Sequence, residues 1–189
     1  MRRKAVSVIC SFIWALILTA GNGFAQGQWI TLTEDNSAEV YPASDYTGEI
    51  RMTFLGDCTL GGEEKSRNNR LGFARRIQEN GMDFPFRFLS RLTLQDDLTV
   101  ANLEGVLTDR TLKKEKKKYN FSGSSEYTEI LNAGGIDCVT LANNHFLDYG
   151  EGGVAKTLEV CKEHGIDTVG GGMNLNEASS TLYKEINGE

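Results

Sequence analysis

Residues 138–150 read CVTLANNHFLDYG, and the fold is decided there. The apolar run Cys138-Val139-Thr140-Leu141-Ala142 has the length and β-branched content of a short buried strand. It stops abruptly at Asn143-Asn144-His145, with Asp148 and Gly150 close behind. A polar cluster at the carboxyl end of a buried strand is where open α/β sheets place their chemistry. Two other apolar stretches end the same way. Residues 49–55, EIRMTFL, alternate Ile50, Met52 and Phe54 with polar neighbours and run into Gly56-Asp57. Residues 98–101, LTVA, deliver Asn102-Leu103-Glu104. Three strand tips that each carry an oxygen or nitrogen donor predict one shared site.

The elements around these strands alternate, which predicts an α/β sheet. Residues 82–94, with Phe84, Phe86, Phe88, Leu89, Leu92 and Leu94, suggest a helix packed on the sheet through an aromatic stripe. Residues 63–76 are polar and rich in Arg and Asn. Residues 126–132 predict a short helix closed by Gly134-Gly135. A longer helix begins at Gly150 and ends at Glu163-His164, with Gly165 as its stop and His164 as a last-turn residue. Residues 166–169 read as a fourth strand and 175–180 as one more helix. Residues 182–186 look like the first arm of a hairpin at Asn187-Gly188. The returning strand is missing, so the sequence predicts a domain truncated at its C-terminus.

The amino end reads as an export signal. Arg2-Arg3-Lys4 precede an apolar stretch over residues 5–20, and Gly23-Phe24-Ala25 offers a cleavage site after Ala25. The apolar run is shorter than the roughly 20 residues that span a bilayer, so the expected product is exported, extracellular or cell-envelope associated, with no membrane span. Residues 26–48 have little periodicity and read as a linker or N-terminal arm, and residues 49–189 as the domain. Without Arg2, Arg3 and Lys4, 17 Lys+Arg remain against 26 Asp+Glu, a net charge of −9. Such a surface does not attract nucleic acid or anionic lipid. A phosphate or carboxylate substrate would need a local cation. Cys58, Cys138 and Cys161 remain after cleavage, an odd number that argues for buried thiols rather than a disulfide framework. The Lys-rich residues 108–118 read as a solvated loop, with a polyanion contact as the alternative.

Asp57, Glu104, Asn144 and His145 make a hard donor set with one imidazole. That set suits Mn, Mg, Zn or Fe, with Mn favoured over Zn where oxygen predominates and cysteine takes no part. Bound metal would clamp a phosphate ester and activate a water, with His145 protonating or stabilising the leaving oxygen. Asp148, three residues on, is placed to orient the imidazole. Asn102 lies two residues from Glu104, on the same side of an extended chain, and with Asn143 is a candidate for holding substrate. The plainer alternative is that Asn143 and Asn144 close a turn.

GDCTLGG at 56–62, ANLEG at 101–105 and LANNHFLDYG at 141–150, followed by TLEVCKEHGIDTVGGGMNLNEA at 157–178, resemble the CapA family of capsule and poly-gamma-glutamate biosynthesis proteins. The resemblance covers residues 50–189, and the ANNHxxDxG element is its most specific part. It implies a fold similar to the calcineurin-like metallophosphoesterases, a layered α/β sandwich with a mixed sheet. It implies that Asp57 is the metal ligand of the first strand, that Glu104 lies near or between metals, and that Asn144-His145 supply the Asn ligand and the catalytic His. One departure concerns the first metal: the common Asp-x-His pattern has Thr59 at its last position here. The later histidines of such sites would lie beyond Glu189. The implied role is in making or exporting an anionic capsule polymer, with that polymer or the capsule-synthesis machinery as partner. Three readings follow: a metal-dependent hydrolase or transferase, a non-catalytic assembly or polymer-binding factor, and an inactive truncated fragment.

Overall fold

The computed structural model describes the backbone of Leu16–Thr19 together with residues 50–66 and 69–186. The expected cleavage after Ala25, the arm over 26–48 and the Asn187-Gly188 turn lie outside the described residues. Among the described residues, no helix is long and apolar enough to cross a membrane.

Five strands form the main sheet, in the order β1 (Leu16–Thr19), β2 (Arg51–Cys58), β3 (Leu98–Leu103), β6 (Cys138–Thr140) and β7 (Asp167–Val169). β2, β3, β6 and β7 are mutually parallel, while β1 pairs antiparallel with β2, so the sheet is mixed. β1 falls inside the stretch read as the apolar core of an export signal. β4 (Val106–Leu107) and β5 (Ser122–Gly123) form a separate parallel pair in the connection between β3 and β6. The parallel order places the carboxyl ends of β2, β3 and β6 side by side, which brings the three predicted tips to one edge.

Hydrogen bonds from backbone amides to aspartates tie down the amino ends of the strands. Asp97 accepts from the Arg51 amide at 2.7 Å, and Asp137 accepts from the Thr99 amide at 2.7 Å. Each aspartate precedes one parallel strand and caps the start of its neighbour, which fixes the register that the tips inherit.

One face of the sheet carries the core. Leu55, Ala101, Leu103, Val139 and Leu141 pack with Ile130 and Leu131 of α3 (Thr128–Ala133) and with Val154, Val160 and Cys161 of α4 (Gly150–Glu163). Full burial of side chains of this size stabilises by about 1.5–3 kcal/mol each. α4 buries Gly153, Val154, Thr157, Val160 and Cys161, the three-and-four spacing of a single helical face. Its buried Thr157 is satisfied twice, donating to the Gly153 carbonyl at 2.8 Å and accepting from the Leu107 amide at 3.0 Å. Gly165, at φ +72°, takes the left-handed conformation that ends such a helix. The opposite face is less covered: Met52, Val100 and Val169 are half-buried and Phe54 is exposed. Residues 180–186 lie over it, enclosing with these side chains a cavity of about 640 Å³.

Several sequence expectations are corrected. The first strand extends through Cys58, with a register shift between Leu55 and Cys58, so Asp57 belongs to the strand rather than to a turn after it. Residues 82–94 are not one helix. Pro85 sits in a 3-10 turn over Phe84–Phe86, and α2 covers only Ser90–Thr93. Of the aromatic stripe, Phe86 is buried, whereas Phe84 and Phe88 are exposed. Instead, the polar region contains α1 (Phe73–Asn80), anchored through the buried Ile77 and through Phe73, whose ring meets Tyr127 edge-on at 5.3 Å. Residues 182–186 form no strand; they follow α5 (Leu175–Ala178) as irregular chain, held to the sheet by an ion pair between Lys184 and Asp167 at 2.5 Å. The three described cysteines are free thiols, with Cys138 and Cys161 buried.

Candidate active site

Asn102 joins the strand tips. Its Nδ2 donates to Asp57 Oδ1 at 2.5 Å on β2, and its Oδ1 accepts from Thr140 Oγ1 and Asn143 Nδ2, each at 3.1 Å, on the β6 side. Asn143 also donates to the Leu103 carbonyl at 2.8 Å, and its Oδ1 accepts from the His145 amide at 3.0 Å. Both amides expected to hold substrate are thus spent on cross-links between neighbouring tips and on the turn that presents His145. The turn reading of Asn143 is what its contacts describe. Asp57 and Asn144 are exposed at this edge, with Asn144 contributing its carbonyl to Lys117 Nζ at 2.7 Å.

His145 is buried to 8% exposure, and three groups fix it. Asp148 Oδ2 lies 2.6 Å from Nδ1, Glu104 Oε1 lies 3.8 Å from Nε2, and the Phe121 ring stacks on the imidazole at 4.1 Å between centroids, 19° from parallel. The i, i+3 spacing anticipated for His145 and Asp148 is met in a turn, where the Asp148 amide donates to the His145 carbonyl at 3.2 Å. Asp148 is wholly buried. Burial of a carboxylate demands hydrogen bonds and a cation, and both are present: the Phe121 amide donates to Oδ2 at 2.7 Å and Lys117 Nζ reaches Oδ1 at 2.9 Å. Glu104 is held from its other side by Thr59 Oγ1, which donates to Oε2 at 2.7 Å.

Lys117, Phe121 and Thr59 are site residues that sequence reasoning missed. Lys117 is hidden in a lysine-rich run that reads as solvated, yet its ammonium enters the site. Phe121 had one available signal, an aromatic next to a Ser-Gly pair after a polar loop. Thr59 was read only as the place of a missing ligand; the structure makes it the partner of Glu104.

The chemistry available is proton transfer and charge stabilisation by an oriented imidazole beside a carboxylate. Glu104 and His145 Nε2 also face one another as two potential cation donors. No three His, Cys, Asp or Glu side chains among the described residues converge as a metal-holding group. Asp57, at the adjoining tip, turns Oδ1 toward Asn102. The described residues therefore do not by themselves complete the expected metal centre.

Comparison with known proteins places the chain in a family. A family model described as "Bacterial capsule synthesis protein PGA_cap" matches residues 51–189. The chain is 28% identical over 189 residues to the "Capsule biosynthesis protein CapA" of Bacillus anthracis, covering 98% of this chain and 41% of that protein. It is 24% identical over 155 residues to the "PGA biosynthesis protein CapA" of Bacillus subtilis (strain 168), covering 80% and 38%. The chain spans about two fifths of the length of these curated relatives.

Proposed function

Because the chain belongs to the bacterial capsule synthesis protein family PGA_cap, we propose that it is an exported CapA-like protein of capsule or poly-gamma-glutamate synthesis or export, with a hydrolase-type site at the three strand tips. The observation that carries the catalytic part is the line from Lys117 through Asp148 and His145 to Glu104, with separations of 2.9, 2.6 and 3.8 Å. A buried carboxylate that fixes one ring nitrogen leaves the other to exchange a proton with a substrate. In this reading His145 Nε2 gives a proton to the leaving oxygen or nitrogen of a capsule precursor, and Glu104 stabilises the charged ring. Phe121 keeps water from one imidazole face. The exposed Asp57 and Asn144 line the approach.

A divalent cation, Mn in first place among Mn, Mg, Zn and Fe, belongs to the proposal as an expectation from donor chemistry. In this chain Glu104 would be its donor, with Asp57 and Asn144 at the rim, while His145 keeps Nε2 for the proton. Because no three acidic, thiol or imidazole donors converge there among the described residues, no step is derived through it. That same observation favours a second reading, a non-catalytic assembly or polymer-binding factor. Its contacts with an anionic polymer or with the synthesis machinery would use exposed lysines of residues 113–118.

The test is hydrolysis of a chromogenic phosphodiester and of a gamma-glutamyl amide by the 189-residue chain, with and without Mn, beside His145→Ala and Glu104→Gln. Turnover that falls at least about a hundredfold in His145→Ala, as expected for loss of a general acid or base, supports the catalytic reading. Equal background rates in all three, together with polymer retention that is lost when Lys113, Lys116 and Lys118 are changed to Gln, support the binding factor.

A further inference from the structure

We propose that Lys117 is a positioning residue for His145: acting through Asp148, it fixes the imidazole as the tautomer protonated at Nδ1. The inference deepens the catalytic reading above, but the geometry behind it stands without any turnover. Four groups from a seven-residue stretch converge on Asp148. The Glu115 amide and Asn120 Nδ2 donate to its carbonyl at 2.9 and 3.3 Å, the Phe121 amide donates to Oδ2 at 2.7 Å, and Lys117 Nζ donates to Oδ1 at 2.9 Å. Lys117 Nζ also binds the Asn144 carbonyl, the residue before His145, at 2.7 Å. One ammonium therefore holds both the acceptor of the imidazole and the turn that carries it.

Hydrogen-bond accounting gives the tautomer. An ammonium and a backbone amide can only donate. A carboxylate whose two oxygens receive both is placed as an acceptor toward the third neighbour as well. That neighbour is His145 Nδ1 at 2.6 Å, so Nδ1 carries the proton. Nε2 is then left facing Glu104 Oε1 at 3.8 Å, a second acceptor. The pair is a place for a shared proton or cation, which an Nε2–H tautomer would fill with a bound hydrogen instead.

The other described lysines of the run do not play this part. Lys114 pairs with Glu64, and Lys118 lies over the Tyr119 ring at 4.9 Å. Lys117 meets a carboxylate with no exposure at all and holds the Asn144 carbonyl as well, so its removal frees both the acceptor of the imidazole and the turn that carries it.

The experiment is a long-range proton–nitrogen correlation spectrum of the full chain labelled with nitrogen-15 histidine, at a pH where the ring is neutral. With two histidines in the sequence, His164→Gln assigns both sets of signals. The wild type and Lys117→Arg are expected to show His145 protonated at Nδ1 alone; Lys117→Met should show a mixture of tautomers. An Nε2–H signal in the wild type, or an unchanged Nδ1–H signal in folded Lys117→Met, overturns the proposal. If Lys117→Met does not fold, Lys117→Gln, which keeps a neutral donor, is read by the same criteria. A catalytically inert chain with a Lys117-dependent tautomer would defeat the hydrolytic reading and leave this inference standing.

Discussion

Thr59 Oγ1 donates to Glu104 Oε2 at 2.7 Å, joining the chain just past the first strand tip to the carboxylate of the second. Replacing the hydroxyl by a methyl, Thr59→Val, keeps the shape and leaves that oxygen without its donor. The expected loss is about 1.5–3 kcal/mol, the range for a hydrogen bond to a charged group, seen as a lower urea midpoint with an unchanged slope. Thr59→His tests the donor count directly. If the site lacks one ligand, an added imidazole beside Glu104 raises Mn affinity by about tenfold or more, or about 1.4 kcal/mol, measured by calorimetry. An affinity no higher than that of the parent would mean that Glu104 is not arranged as a cation donor.

The Asp148 side chain accepts from three groups and has no exposure. Asp148→Ala removes the acceptor of Lys117, His145 and the Phe121 amide together. Lys117 can turn to water; the Phe121 amide cannot do so as easily. The expected destabilisation is about 3 kcal/mol, in line with breaking a buried charge pair. Chemical denaturation reads it, and a loss below about 1 kcal/mol would show that the site tolerates rearrangement around His145.

The three tips were legible because each apolar run meets a polar donor at its carboxyl end, Asp57, Asn102 or Asn143, even though β2 and β3 run on through the first two. The His145–Asp148 pair was legible from its three-residue spacing. Lys117 was not, because neighbouring lysines are equivalent until the fold selects one to meet a buried carboxylate. Local pattern failed where packing was one-sided. α1 buries only Ile77 among Arg, Gln and Glu, too little for a hydrophobic period to show. The phenylalanine stripe promised a helix, but Pro85 and the exposure of Phe84 and Phe88 break it into short turns. Residues 182–186 alternate like a strand, yet they cross the sheet face without joining its ladder.

Gly123 in β5 has no room for a side chain. A Cβ there would overlap the Leu60 carbonyl oxygen and lie 2.7 Å from the Tyr127 ring. The neighbouring Ser122 exchanges backbone hydrogen bonds with Gly62 at 3.0 and 3.2 Å, and Phe121, next along, stacks on His145. Gly123→Ala should therefore destabilise by about 2–3 kcal/mol, as overpacking against backbone does, and should also move the His145 ring signals. Near-wild-type stability would require the 59–62 loop to yield freely, contrary to its bridge with Ser122.

The buried thiols give a pH dependence with a definite sign. Burial is the main cause that pushes Cys161 up to about 12 and Cys138 to about 11, with the charge of Asp167 adding to the effect at Cys138. The ordinary thiol value here is 9.0, so above it the unfolded chain releases protons that the folded chain retains. Stability is therefore complete below pH 9 and declines as the pH rises toward 11–12. By pH 10 each fully buried thiol has given up about 1.4 kcal/mol. Cys58, also raised to about 11 by burial and by Asp57, is half-buried and contributes less because solvent screens it. Urea unfolding at pH 8 and pH 10 measures the decline, and Cys161→Ala isolates one share of it: the variant should lose about 1.4 kcal/mol less than the parent over that interval. Equal declines in the two proteins would mean that the Cys161 thiol titrates alike in the folded and unfolded chains.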